Sequence, residues 1–232
     1  MHHIVHDIES SPAPHREAWV SDHMLAEDYP GPPGNYKSEA AKAKHLAGWQ
    51  AEARERAETA WGRTALDARH GEVVCICAVL CSDNGAPLDW FRMDRRDELP
   101  EAELLRSWWV WAGNASHRSR STWVGHYAST FDLPFLFRRS WLLGVRTPAP
   151  PSGWNDITDT RDLWQVTKAN RDHVKLRDLA TAFGLADKLE DDRYPHAWEA
   201  AVAGDWAWVM DRCRSDVEIT HAAWCRMTGR GS

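Results

Sequence analysis

Four acidic residues of this sequence have the types and spacing that could hold divalent cations. The first two, Asp7 and Glu9, stand one residue apart in HDIES, behind the apolar pair Ile4 and Val5. In a strand, residues i and i+2 project from the same face roughly 6.5 Å apart, so two ionised carboxylates there repel each other unless a cation lies between them. The alternative is that both carboxylates reach solvent beyond the end of the strand.

Two further acids could complete such a site. Asp132 follows a predicted strand at the start of a predicted helix in WVGHYASTFDLPFL, where its alternative role is a helix N-cap. Asp216 lies in the predicted helix MDRCRSDVEITHAAW, with Ile219 and Ala223 on its side, and its alternative role is a solvated helical charge. Three or four inward-facing carboxylates form the oxygen-rich shell that Mg²⁺ or Mn²⁺ prefers.

The elements that must position these acids follow from the apolar pattern. Residues 2–9 predict a strand, which SSPAP ends because proline cannot continue the ladder. A hairpin is predicted from GEVVCICAVLCS and LDWFRM, with DNGAP as its turn. STWVGHY and NDITDTRDLW predict two further short strands.

Helices are predicted between and after these strands. The predicted helices are Ser38 to about Trp61 with Ser38 as N-cap, about Pro100 to Ala115, a helix that opens at DLPF with Pro134 in its first turn, VKLRDLATAFGL ended by Gly184, and about Asp205 to Met227. This order predicts an α/β fold with a mixed central sheet flanked by helices. A chain of 232 residues is expected to form a single domain over residues 1–232, with room for an appended insertion.

On these motifs the sequence resembles DEDD-type 3′–5′ exonucleases of the RNase H-like superfamily, specifically the predicted exonucleases related to the proofreading domain of family B DNA polymerases. HDIES resembles the first exonuclease motif, GHYASTFDLPFLFRR the second and RCRSDVEIT the third. The connections PGNYKSEAAKAK, ALDARHGEVVCICAV, DTRDLW, VKLRDLATAFGL and GDWAWV extend the resemblance over nearly the whole chain. The resemblance implies an RNase H-like fold, with Asp7, Glu9, Asp132 and Asp216 as catalytic residues and as ligands of two Mg²⁺ or Mn²⁺ ions.

The sequence departs from the family pattern beside two of the acids. Arg212 stands four residues before Asp216, where relatives usually carry a tyrosine that positions the attacking water. Arginine cannot act as a general base because its pKa exceeds about 12, but on the helical face of Asp216 it could pair with that carboxylate or hold a phosphate. Tyr127 stands five residues before Asp132, in place of the common asparagine, and is a candidate for proton handling or an ordinary packing aromatic.

Other residues near the motifs are candidates for contact with a nucleotide. Ser10 matches a position that meets the terminal nucleotide in relatives, Phe131 could wedge against the last base, and His126 lies beside the second motif, where a histidine is more often structural. Local positive charge is expected from Arg138, Arg139, Lys168, Arg171, Lys175 and Arg177, and the alternative is that most of them only form solvated faces of helices.

The function predicted from the resemblance is a stand-alone exonuclease that removes nucleotides from the 3′ end of single-stranded DNA. An exoribonuclease is one alternative, because the same acids serve both polymers and only contacts to the 2′-hydroxyl would separate them. A catalytically weakened member that binds nucleic-acid ends is the other, since Arg212 replaces the usual tyrosine.

Composition excludes several classes of protein. The net charge of −6 argues against a protein that coats long nucleic acid through a broad basic surface.

No apolar run approaches the ~20 residues that cross a bilayer, and no secretory signal pattern begins the chain, so a cytoplasmic protein without a membrane partner is expected. The five cysteines lack CxxC spacing and are expected to be reduced core residues. Which proteins, if any, bind this chain does not follow from the sequence.

Overall fold

The computed structural model describes residues 1–25, 28–118, 121–151, 156–167, 173–185 and 193–231. The chain divides into two compact units, one formed by Met1–Ser11 with Val73–Ser232 and the other by Pro12–Glu72. The single domain over residues 1–232 stays a prediction. Two of the cations expected near the site, Lys168 and Arg171, lie outside the described residues.

Five strands of the described residues form one sheet. They are β1 (His2–Ser11), β2 (Glu72–Cys81), β3 (Pro87–Asp94), β4 (Ser121–Gly125) and β5 (Ile157–Asp159), in the order β3-β2-β1-β4-β5. Strand β1 is parallel to β4, and β4 is parallel to β5, whereas β2 and β3 are antiparallel. The predicted hairpin and the predicted mixed sheet are therefore confirmed, in an α/β arrangement consistent with an RNase H-like fold.

The α-helices of the described residues flank this sheet or belong to the smaller unit. They are α1 (Arg16–Leu25), α2 (Glu39–Arg63), α3 (Glu101–Arg118), α4 (Asp132–Leu142), α5 (Thr160–Gln165), α6 (Leu176–Phe183), α7 (Ala197–Val202) and α8 (Trp206–Thr228). As predicted, Ser38 caps α2, with its hydroxyl accepting from the Ala41 N–H at 3.1 Å. Gly184 ends α6 at a φ of 60°, which glycine adopts without strain.

One predicted strand is only partly a strand. Within NDITDTRDLW, strand β5 ends at Asp159 and helix α5 follows at once, while Asn155 lies outside the described residues. The reason is local, because the Asp159 carboxylate accepts a hydrogen bond from the Arg161 N–H at 3.0 Å and so caps the new helix.

Both faces of the sheet are covered. Val5 of β1 belongs to a buried cluster with Cys75 and with Val217 of α8. On the opposite face His6 packs against Trp108 of α3, with ring centroids 6.1 Å apart. All five cysteines are free and buried, as predicted. Because β1 is packed on both faces, the position of the side chains at its carboxyl end is well defined.

The smaller unit pairs α1 with α2. The indole N–H of Trp61 donates to the Ala13 carbonyl at 2.8 Å, and the Ala13 N–H donates to the Thr64 hydroxyl at 2.7 Å. Both bonds are buried, and they join Ala13 near the start of the unit to Trp61 and Thr64 near its end. Within the described parts of the chain, no helix is both long enough and apolar enough to span a membrane.

Candidate active site

The parallel strands bring their carboxyl ends to one edge of the sheet. Gly125 at the end of β4 pairs with Asp159 at the end of β5, and β1 runs parallel beside β4 to reach Asp7. Helix α8 packs along β1, and α4 begins shortly after β4. Three predicted motifs that are distant in sequence therefore meet at one edge.

Three of the four predicted acids converge there. Asp7, Glu9 and Asp216 each offer a carboxylate oxygen, and these oxygens lie within 4.8 Å of one another. The first two project from one face of β1, as their spacing predicts. At an effective dielectric constant of about 20, two unit charges at this separation repel by roughly 3 kcal/mol. Three ionised carboxylates so close together require compensating positive charge.

The fourth acid, Asp132, is buried beside this group. Only 3% of the residue is exposed, and its Oδ2 has no hydrogen-bond partner among the described residues. Burial raises the pKa of Asp132 well above its usual range, and the nearby charges of Asp159, Glu9 and Asp216 raise it further. It is not the N-cap of α4, because Phe131 holds that position without a side-chain cap bond. The carboxylate is therefore left available to another group.

The donor set fits hard divalent cations. Carboxylate oxygens are the ligands that Mg²⁺ and Mn²⁺ prefer. A buried oxygen without a partner, such as Oδ2 of Asp132, costs free energy that a bound cation would offset. A cation would also relieve the repulsion among Asp7, Glu9 and Asp216.

Asp159 is a fifth acid of the site that the sequence analysis did not single out. It is buried, and its carboxylate accepts hydrogen bonds from the Tyr127 N–H at 3.1 Å, the Ser129 hydroxyl at 3.0 Å and the Arg161 N–H at 3.0 Å. Both carboxylate oxygens are engaged, so the geometry favours positioning of the segment before Asp132 over metal binding. The signal available in the sequence was an aspartate within the predicted short strand NDITDTRDLW.

Tyr127 occupies this segment in an unusual backbone conformation. Its φ of 66° lies in the left-handed region, which is uncommon for a residue with a side chain and is here held by the bond to Asp159. The Arg161 guanidinium lies 4.3 Å from the centre of the half-buried tyrosine ring. Tyr127 is therefore outside the closed core, and proton handling by its phenol stays a prediction.

Arg212 lies among the acids. Its Nε donates to Glu9 Oε1 at 3.2 Å, and the two side chains are only 18% and 15% exposed. The guanidinium also lies 5.4 Å from the centre of the Trp208 ring, one turn earlier on α8. The pairing with Glu9 was not among the partners predicted from helical spacing, which were Asp216 and a phosphate.

Cys213 is a second residue that the sequence analysis did not single out as part of the site. Its thiol donates to the Asp7 backbone carbonyl at 3.4 Å and lies 3.7 Å from Asp7 Oδ2. Burial raises the pKa of the Cys213 thiol, so the sulfur keeps its proton and acts as a donor. The thiol thus joins α8 to β1 next to a predicted ligand.

The remaining predicted contacts lie around this group. Ser10 and Phe131 are half-buried, and the ring of Phe131 lies 5.3 Å from that of buried Phe135. His126 is half-buried and shares a hydrogen bond of 3.0 Å between its Nδ1 and the Thr160 hydroxyl. Contact of Ser10, Phe131 and His126 with a substrate stays a prediction.

One predicted cation is wrongly assigned. Arg139 is buried, and its Nε donates to Glu101 Oε1 at 2.9 Å, so its charge is neutralised inside the protein and not presented to a substrate. The same Glu101 oxygen also accepts a hydrogen bond from the Val73 N–H at 2.8 Å, so the pair of Glu101 and Arg139 contacts the start of β2. By contrast, the cations Arg138, Lys175 and Arg177 are exposed.

A comparison with protein families shows which family this chain is similar to. A family described as "Predicted 3'-5' exonuclease related to the exonuclease domain of PolB" matches residues 66–230. The matched range contains Asp132, Asp159 and Asp216 but not β1, which carries Asp7 and Glu9. No curated protein matches the chain.

Proposed function

We propose that this chain, which belongs to the family of predicted 3′–5′ exonucleases related to the exonuclease domain of PolB, removes nucleotides from the 3′ end of single-stranded DNA. The observation that carries the proposal is the convergence of Asp7, Glu9 and Asp216 within 4.8 Å. Two of these acids lie outside the range matched to the family, so their meeting with Asp216 is support independent of the match.

In the proposed reaction the four acids Asp7, Glu9, Asp132 and Asp216 would hold two Mg²⁺ or Mn²⁺ ions. When bound, such a pair of ions supplies an activated water and stabilises charge on the attacking and leaving oxygens of an in-line displacement. The chain contributes position, because two ligands stand on an enclosed strand, one on α8 and one at the first residue of α4.

Other residues would act on the nucleotide. The half-buried Phe131 would pack against the last base, and Ser10, which follows Glu9 directly along β1, would meet the terminal nucleotide. The exposed cations Arg138, Lys175 and Arg177 would add positive charge for contact with the phosphates of a short strand end. The Tyr127 phenol is the proposed group for proton handling.

A second candidate is a member of the family that binds nucleic-acid ends without turnover. The observation that favours it is the ion pair between Arg212 and Glu9, which engages a proposed ligand with a permanent cation. Arg212 also cannot accept a proton, so it cannot replace a general base.

The polymer and the reacting end are tested together with single-stranded DNA and RNA oligonucleotides, each blocked at either the 3′ or the 5′ end, in Mn²⁺. The proposal expects shortening of DNA with a free 3′ end and none when that end is blocked. Faster shortening of RNA than of DNA would favour the exoribonuclease, whereas binding without cleavage at high Mn²⁺ would favour the second candidate.

A further inference from the structure

Glu9 forms an ion pair with Arg212, and this ion pair affects how the site can bind a metal ion and a phosphate. We infer that Arg212 is a displaceable counter-ion, which neutralises Glu9 in the metal-free protein and transfers to a substrate phosphate when Glu9 is taken by a divalent cation. The inference rests on the proposed function, because it needs Glu9 as a metal ligand and a phosphodiester as substrate.

The charge balance supports the first half of this exchange. Carboxylate oxygens of Asp7, Glu9 and Asp216 lie within 4.8 Å, and the Arg212 Nε lies 3.2 Å from Glu9 Oε1. Guanidinium stays protonated at all ordinary pH values, so its charge cannot be switched off when a metal ion arrives. A divalent cation bound at Glu9 and the Arg212 guanidinium repel each other at this short range, so each weakens the hold of the other on the carboxylate.

The position of Arg212 supports the second half. It precedes Asp216 by four residues on α8, so both side chains lie on one face of the helix. The Trp208 ring lies 5.4 Å from the guanidinium and contacts it from the preceding turn. A guanidinium that leaves Glu9 stays within reach of a phosphate at the acids, and its planar donor groups match phosphate oxygens.

This exchange links the two ligands of the site. A metal ion at Glu9 frees Arg212 for the phosphate, and a phosphate that holds Arg212 leaves Glu9 to the metal ion. By thermodynamic reciprocity each ligand must then raise the affinity for the other by the same factor. In the metal-free protein Arg212 compensates part of the charge of the acids, and the competent site forms when both ligands are present.

Calorimetric titration of chelator-treated protein with Mn²⁺, without nucleic acid, tests the competition. The variant Arg212→Gln removes the charge and is expected to bind Mn²⁺ roughly tenfold more tightly than the unaltered protein. Arg212→Lys keeps the charge and is expected to stay near the unaltered affinity. Arg214→Gln is the matched control, because Arg214 is two residues further on α8, is exposed, and pairs with Glu218 at 2.9 Å.

The linkage is tested with a single-stranded DNA whose 3′-terminal linkages are phosphorothioates, which slow cleavage while affinity is measured by fluorescence anisotropy. In the unaltered protein Mn²⁺ should tighten DNA binding, and in Arg212→Gln this gain should shrink by roughly tenfold. Arg212→Met, which keeps an apolar stem against Trp208, replaces Arg212→Gln if the latter does not fold.

The outcomes separate this inference from the proposed function. If the unaltered protein binds Mn²⁺ and the neutral variants bind it no more tightly, the counter-ion role is wrong and the proposed function stands. If the neutral variants bind Mn²⁺ more tightly but the gain in DNA affinity is unchanged, the transfer to phosphate is wrong. If the unaltered protein binds no Mn²⁺, the proposed function and the inference both fail.

Discussion

Arg212 and Glu9 are 203 residues apart in sequence and are joined by a hydrogen bond of 3.2 Å between Nε and Oε1. The bond links α8 to β1 at the point where Asp216 meets Asp7 and Glu9. The third and first sequence motifs thus meet through an ion pair as well as through converging acids. The pair compensates part of the charge that the acids bring together.

The contribution of the α8 ligand is tested by a pair of substitutions on that helix. Asp216→Asn removes a proposed metal ligand and should lower 3′-end cleavage by roughly 1,000-fold, because metal-ion stabilisation of the transition state is worth several kcal/mol. Asp211→Asn removes an exposed acid five residues earlier on the same helix, and this variant should cleave as the unaltered protein does. Equal losses in both variants would point to a general effect of charge.

Asp159 is expected to act through Asp132. Asp159→Ala removes the acceptor for the Tyr127 N–H and the Ser129 hydroxyl, so the segment before Asp132 should lose its geometry. Mn²⁺ affinity measured by calorimetry should fall by roughly 10- to 100-fold, as for other residues that orient metal ligands. Asp162→Ala is the control, because Asp162 pairs with Arg161 on the same helix without bonding that segment. Unchanged Mn²⁺ affinity in Asp159→Ala would remove the positioning role.

The stability of the chain should depend on pH through His6. Burial lowers the pKa of His6 from 6.5 to about 4, so the unfolded chain takes up this proton at a higher pH than the folded protein does. Stability from this group should therefore be lost as pH falls from 6.5 towards 4, by on the order of 3 kcal/mol.

Urea unfolding at pH 7 and pH 4.5, with chelator present throughout, measures this loss. The variant His6→Leu is the comparison, because it packs an uncharged side chain between Trp108 and Trp123. Its free energy of unfolding should fall less between the two pH values than that of the unaltered protein. An equal fall in both proteins would show that His6 does not carry the effect.

The cysteine thiols should be unreactive in the folded protein. All five are buried, and burial raises the pKa values of Cys75, Cys213 and Cys225 and that of Cys81 to about 12. Since the thiolate is the reactive form, a thiol reagent at pH 8 should modify all five only after unfolding. Rapid modification of the native protein would contradict this burial.

Much of the fold and part of the site follow from local sequence patterns. The i, i+2 spacing of Asp7 and Glu9 predicts two carboxylates on one face, and Ser38 predicts the start of α2, because both effects depend only on neighbouring residues. The hairpin of β2 and β3 follows from two apolar runs around a short turn.

The features that sequence did not predict depend on contacts between distant elements. Arg212 was expected to meet Asp216 or a phosphate, but the packing of α8 on β1 brings Glu9 to it. Asp159 gains its role because β5 pairs with β4, which brings the Asp159 carboxylate to the Tyr127 N–H. Arg139 was expected to add local positive charge near the site, but it lies buried against Glu101.

The central claim is that the four acids form the hydrolytic site of a 3′–5′ exonuclease. The most direct measurement is cleavage of 5′-labelled single-stranded DNA in Mn²⁺ by the unaltered protein and by Asp7→Ala, with both proteins shown to be folded. We predict a ladder of products shortened from the 3′ end with the unaltered protein and intact DNA with Asp7→Ala. Equal shortening by both proteins, or no shortening by either, would contradict the claim.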